Sequence, residues 1–132
     1  MLRIVIDTNV IVSSMISPSG NPAKIMKLFF DRQVDAYYSE AIIFEYEDVL
    51  FRPHFKFNAE DIDLVFDTLK EFGIFTEPEI SSEEMPDEDD RVFYDAAKTN
   101  ETYLVTGNKK HYPDESFIVT PAEFLKIFGE DI

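Results

Sequence analysis

The amino terminus carries the feature that most restricts the fold, an unbroken β-branched apolar run ended by a carboxylate. Leu2-Arg3-Ile4-Val5-Ile6 is apolar everywhere except Arg3, and Asp7-Thr8-Asn9 follows at once. A strand wetted on one face alternates apolar with polar residues. An uninterrupted run suits a strand covered on both faces, as in a parallel sheet. Asp7 then stands where that strand reaches the open edge of its sheet.

Further short apolar runs at 34–38, 74–76, 103–106 and 117–119 read as strands, each separated from the next by helical or loop patterns. Asn9 is spaced to cap a short helix through Val10, Ile11 and Val12. A loop by composition at 17–22 ends in Asn21-Pro22, a cap and a first helical residue for the segment through Phe29. Ser39 caps a helix over 40–51, ended by Arg52-Pro53. Ile62, Val65, Phe66 and Leu69 recur at helical spacing over 58–72, before Gly73. An acidic, proline-containing loop at 80–89 precedes a helix from 90 to about 98, whose small Ala96 and Ala97 would let it lie close to the sheet. A loop spans 107–115, and Thr120-Pro121-Ala122-Glu123 is a capping box opening the last helix. Strands alternating with helices predict an α/β domain over 1–132, with an open, mostly parallel sheet covered on both faces. Such sheets bind ligands in the crevice outside the carboxyl ends of their strands.

Composition narrows the chemistry. There is no cysteine, which removes disulfides, thiolate metal sites and cysteine nucleophiles. No membrane-length apolar segment and no signal peptide are visible, so a cytoplasmic protein is expected. Phosphate-cradling GxxxxGK[ST], GxGxxG and GxSxG patterns are absent, which leaves P-loop hydrolysis and serine-hydrolase chemistry unsupported. Net charge is −15. A protein that grips nucleic acid through phosphates is ordinarily basic. An acidic surface serves solubility, or some of the acids bind cations so that metal meets the phosphate.

Three groups of acids are candidates. Asp7 follows a buried strand directly. On the 40–51 helix, Glu45 and Glu47 flank the apolar face about equally, and helical geometry does not separate them. Asp87-Glu88-Asp89-Asp90 precedes a helix, where one acid suffices as a cap and four repel one another unless solvent or a cation intervenes. Hard oxygen donors without cysteine or paired histidine suit Mg²⁺ or Mn²⁺ and disfavour zinc. His54 and His111 read as ordinary loop residues.

Ile4-Val5-Ile6-Asp7-Thr8-Asn9-Val10, Ser39 followed by Glu45, Asp89-Asp90 before an alanine-containing helix, and Leu104-Val105-Thr106-Gly107-Asn108 together resemble the PIN-domain family, and within it the toxin components of bacterial toxin–antitoxin systems. The resemblance runs from Leu2 to Phe128. It implies a three-layer α/β/α fold and a metal-dependent ribonuclease whose acids are Asp7, Glu45 and Asp90, with Asp89 as the neighbouring metal ligand or helix cap. Where relatives often carry a fourth Asp, this chain has Asn108, suited to orienting water. Thr8, Asn9 and Thr106 are implied as supporting hydrogen-bonding groups. Mg²⁺ or Mn²⁺ held by Asp7, Glu45 and Asp90 would promote hydrolysis of an RNA phosphodiester. Arg52, Arg91, Lys109 and Lys110 are candidates for contacts to RNA. A homodimer and an antitoxin with a basic contacting segment are the expected partners. A catalytically silent module that binds RNA or protein is the alternative reading. A phosphoryl-acceptor domain would want a second Asp close to Asp7, which Thr8-Asn9-Val10 does not offer.

Overall fold

A computed structural model describes residues 1–131. Its centre is strand β1 (Arg3–Ile6), flanked by β2 (Asp35–Tyr38) and β4 (Tyr103–Val105), with β3 (Ile74–Phe75) and β5 (Ile118–Val119) outermost. The five strands lie in the order β3-β2-β1-β4-β5 and every pairing is parallel. Ile4, Val5 and Ile6 pair with Tyr103, Leu104 and Val105, and all three β1 residues are buried. The apolar run at the amino terminus thus behaves as a strand covered on both faces.

Among the described residues six α-helices surround the sheet: α1 (Thr8–Ile16), α2 (Asn21–Phe30), α3 (Glu40–Leu50), α4 (Ala59–Phe72), α5 (Arg91–Thr99) and α6 (Pro121–Asp131). α2 packs on α1 and α6, while α5 lies against β1, β4 and α3. Phe93, Tyr94, Ala96 and Ala97 of α5 are buried. The two alanines present no bulk, so the helix sits close to the central strands. That closeness brings its acidic amino end to the carboxyl edge of β1.

Most helix starts agree with the sequence signals. The Ser39 hydroxyl accepts from the Ile42 amide at 3.2 Å, and the Asn58 side chain accepts from Glu60 at 2.8 Å. Thr120 and Glu123 close their box reciprocally at 2.9 and 3.1 Å. Two starts differ. α1 begins earlier than expected, capped by Asp7 instead of Asn9, and Gly20 precedes α2 where Asn21 was expected. At the end of α4 a Cβ on Gly73 would fall 2.4 Å from the Leu69 carbonyl oxygen and 2.9 Å from the Tyr38 ring, so only glycine fits.

Candidate active site

β1 lies between β2 and β4: the chain builds β2 and β3 on one side of it, then crosses back to build β4 and β5 on the other. The crevice at its carboxyl end is therefore the topological switch point, where parallel α/β sheets bind ligands. Asp7 stands there beside Thr106, the residue after β4, and its amide donates to the Val105 carbonyl at 3.0 Å.

The Asp7 carboxylate is buried, 3% exposed, and its two oxygens are treated differently. Oδ2 accepts from the Tyr112 hydroxyl at 2.7 Å, the Thr106 hydroxyl at 2.9 Å and the Asn9 side-chain amide at 3.4 Å. Oδ1 has one long contact, the Asn9 backbone amide at 3.4 Å. Burial pushes the carboxyl above its usual range, against those donors, which pull it down. Asn9 also ties two strand ends together. Its side-chain oxygen accepts from the Gly107 amide at 2.9 Å, and its nitrogen donates to Thr106 Oγ1 at 3.3 Å. Thr106 Oγ1 accepts in turn from the Asn108 amide at 3.1 Å, which fixes that half-buried residue at the rim. Thr8 is buried, with no partner for its hydroxyl among the described residues.

Helix α3 crosses close by, because the Tyr46 hydroxyl, buried mid-helix, donates to the Ile6 carbonyl at the end of β1. Glu45, next to this anchor, is half-buried, whereas Glu47 is exposed. Glu45 is pushed above its ordinary value first by burial and then by repulsion from Asp89, Asp48 and Asp7. The burial separates two glutamates that helical spacing alone left equivalent.

A turn of 3-10 helix over Glu88–Asp90 delivers the remaining acids. Asp87 caps it, its side chain accepting from the Asp89 amide at 3.0 Å. This corrects the expectation that Asp89 would be the cap if Asp90 faces a metal. Asp89 is exposed and bears electrostatically on Glu45. Asp90 is raised to about 6, chiefly by burial, then by the charges of Asp7 and Asp87, with His111 pulling the other way. His111, read in sequence as an ordinary loop residue, places Nδ1 3.1 Å from Asp90 Oδ2. Ligand atoms of Asp87, Asp90 and His111 lie within 4.8 Å of one another. The donor set is carboxylate oxygen plus one imidazole, and the charge of Asp90 is penalised by burial first and then by its acidic neighbours. Those properties fit a divalent cation.

Of the basic candidates, Arg91 has another use. Its guanidinium donates to Ser81 O and Oγ at 2.9 Å, to Glu83 O at 2.6 Å and to Glu88 at 2.8 Å, pinning the acidic loop to α5. Arg52 pairs with Asp48 at 3.1 Å and Lys109 with Glu123 at 3.3 Å. Lys110 is exposed and forms no ion pair among the described residues. A cleft of about 550 Å³ opens on the other side of Arg91 and Glu88, between the start of α3 and the segment after β3, with Phe75 and Ile80 in its lining.

Two contributors escaped the sequence. Tyr112 and His111 lie in the 107–115 loop, where their only signal is an aromatic ring beside basic residues, just after a strand end. The loop has to turn back over the sheet before either ring faces Asp7 or Asp90.

A model of the family described as PIN domain matches residues 3–110. Among curated proteins, the uncharacterized protein MJ1680 of Methanocaldococcus jannaschii is 29% identical over 146 residues, covering 99% of this chain and 94% of that one. Among solved structures, the crystal structure of PAE2754 from Pyrobaculum aerophilum superposes with a TM-score of 0.56 at 13% identity, covering 98% of this chain and 90% of that one. That last likeness is one of fold.

Proposed function

The chain belongs to the PIN-domain family, and on that footing we propose that it is a divalent-metal-dependent endoribonuclease, the toxin of a bacterial toxin–antitoxin pair. PIN domains are in general nucleases that bind nucleic acid and use divalent metal ions. The finer reading takes residues 1–132 as one cytoplasmic nuclease domain. Among the described residues no helix is long and apolar enough to cross a membrane.

The observation that carries the proposal is the asymmetry of Asp7. Three donors converge on Oδ2, Oδ1 makes only the 3.4 Å bond to the Asn9 amide that caps α1, and the charge of Asp7 raises the pKa of both Glu45 and Asp90. A buried carboxylate that repels two further acids is costly to the fold unless a cation offsets it. Asp7, Glu45 and Asp90 would hold the ion, as the family resemblance implies, with Asp89 as a neighbouring ligand. Asp90 belongs also to the cluster with Asp87 and His111, whose ligand atoms lie within 4.8 Å of one another, whereas Asp7 and Glu45 stand outside that cluster. Mg²⁺ or Mn²⁺ held there would supply positive charge toward the phosphate and a water of lowered pKa. Tyr112 and Thr106 keep Asp7 in one rotamer, and Asn9 holds the ends of β1 and β4 in register beneath it. Thr8, buried at the next position with its hydroxyl unpartnered among the described residues, is the remaining supporting group that the resemblance implies. Asn108 orients water at the rim, and Arg52, Lys109 and Lys110 supply cations around an otherwise anionic surface.

Purified protein incubated with single-stranded RNA should cleave it in Mg²⁺ or Mn²⁺ and stop in EDTA. Asp7→Asn should abolish cleavage while the fold persists. Cleavage that continues in EDTA, with contaminating nuclease excluded, would overturn the metal mechanism.

The partner reading extends from the same surface. A net charge of −15 favours an antitoxin whose contacting segment is basic. Homodimerisation is proposed as well, with Phe44 and Phe51, 68% and 58% accessible, the most exposed of the phenylalanine rings among the described residues. Sedimentation showing a monomer at every accessible concentration would remove the dimer.

A further inference from the structure

Seven residues beyond Glu45 the chain runs Arg52-Pro53-His54-Phe55-Lys56-Phe57. In a molecule of net charge −15, this hexapeptide holds two cations, an imidazole and two phenyl rings, and no carboxylate. Arg52 is paired with Asp48 and also draws down the pKa of Glu45, which connects the segment electrically to the candidate active site. Lys56 is exposed and makes no ion pair among the described residues.

The loop is folded to stack its rings. A turn closes where the Phe55 amide donates to the Arg52 carbonyl at 3.1 Å. Lys56 then adopts φ 53°, a left-handed backbone that glycine would take without strain. In an extended strand, residues two apart are separated by about 6.6 Å. Here the rings of Phe55 and Phe57 lie 4.9 Å apart and within 6° of parallel, while the lysine between them is turned out to solvent. His54 lies beyond, its ring 4.3 Å from Phe55 and tilted by 35°. Phe57 packs against the hydrophobic core, Phe55 is half-buried, and His54 is exposed at the outer end. Covering the core accounts for Phe57. It does not account for an aromatic ladder that climbs out of the core and ends in an exposed ring beside an unpaired ammonium.

Stacked rings beside cations are how proteins hold unpaired bases without reading sequence. The sign of the charge selects the occupant. A basic protein segment, which this acidic surface attracts elsewhere, is repelled here, whereas a polyanion repelled elsewhere is drawn in. We propose that the 52–57 loop is a stacking platform for an unpaired RNA base: the base lies on the exposed ring of His54, which Phe55 backs, and the Lys56 ammonium meets the adjoining phosphate. The proposal rests on RNA being the substrate, and it places the strand along the carboxyl end of α3, leading to Glu45.

Binding of a fluorescent single-stranded RNA to the whole protein, followed by anisotropy in EDTA so that cleavage does not intervene, tests the platform. His54→Ala and Phe55→Leu should each weaken binding about tenfold, the loss of one stacked base. Lys56→Gln should weaken it less and make the salt dependence shallower by about 0.7 in log–log slope, the loss of one phosphate contact to a single strand. His54→Ala removes only an exposed ring, so its result stands even if Phe55→Leu lowers stability. Equal affinity across the variants overturns the platform. So do variants that alter sedimentation and leave RNA affinity unchanged, since the loop would then be a protein interface. Loop-dependent binding by a protein that never cleaves in Mn²⁺ overturns the nuclease reading and leaves the platform. Cleavage and binding indifferent to all three variants do the reverse, and no RNA binding by the wild type in EDTA removes the platform.

Discussion

Asp7 combines two demands that oppose each other. Burial at the end of β1 penalises its charge, and the Tyr112, Thr106 and Asn9 donors restore it. Hydrogen bonds to an ionised group are worth about 1.5–3 kcal/mol, so Tyr112, at 2.7 Å, is a principal support of the carboxylate. Tyr112→Phe keeps the ring and removes only that donor. It should destabilise the protein by about 1.5–3 kcal/mol while Asp7 is ionised, and by less as pH falls and Asp7 takes up a proton. The comparison is made by chemical unfolding over a series of falling pH values. A cost independent of pH would mean that Tyr112 acts through packing and not through Asp7.

At the level of elements, the start of α5 shows how four consecutive acids divide their roles. Asp87 caps the 3-10 turn, Glu88 pairs with Arg91, Asp89 projects outward within electrostatic reach of Glu45, and Asp90 turns inward to Asp7 and His111. Losing a helix-terminal cap costs about 1 kcal/mol. Asp87→Ala should therefore lower the melting temperature by roughly 3–5 °C for a domain of this size. Asp89→Ala should leave it nearly unchanged. Thermal unfolding of the two variants decides the matter, and a larger loss for Asp89→Ala would return the cap to that residue. Arg91 was attractive in sequence as a cation near the acids. Its five donors are spent on the loop that carries them, so its contribution is to hold the Glu88–Asp90 turn in place.

For the whole molecule, the acids around the crevice make stability depend on pH and metal together. Asp7, Glu45 and Asp90 all have raised folded-state values, so the folded protein binds these protons more tightly than the unfolded chain. Their contribution is full below the unfolded carboxylate value of about 4. It is lost as pH rises through the folded values, about 6 for Asp90. The metal-free protein should consequently melt lower at pH 7.5 than at pH 5. Mn²⁺ at pH 7.5 should recover much of the difference, because a ligand that binds only the folded state stabilises it. Asp90→Asn should flatten the metal-free pH dependence and raise stability at pH 7.5 by about 1–2 kcal/mol, after allowing for solvent screening. Differential scanning calorimetry across pH 5–8 reads all three effects, and an Asp90→Asn variant that melts below the wild type at pH 7.5 contradicts the account.

Local chemistry determined much of this protein without help from the tertiary fold. The Ile4-Val5-Ile6 run needed cover on both faces, Ser39, Asn58 and the Thr120–Glu123 box supplied their own helix starts, and Ala96 and Ala97 permitted a close helix. Each depends on neighbours a few residues away or on simple burial, so each is legible along the chain. The site is different. Asp7 meets Tyr112 across 105 positions and Thr106 across 99, and Asp90 meets His111 across 21, contacts that no local spacing encodes. Whether Glu45 or Glu47 turned inward depended on the Tyr46 anchor to Ile6, and whether Asp87 or Asp89 capped depended on the path of the loop that Arg91 ties down. Period and propensity specify elements, whereas the pairing of charges and donors at a strand end waits on how the sheet brings distant segments into one crevice.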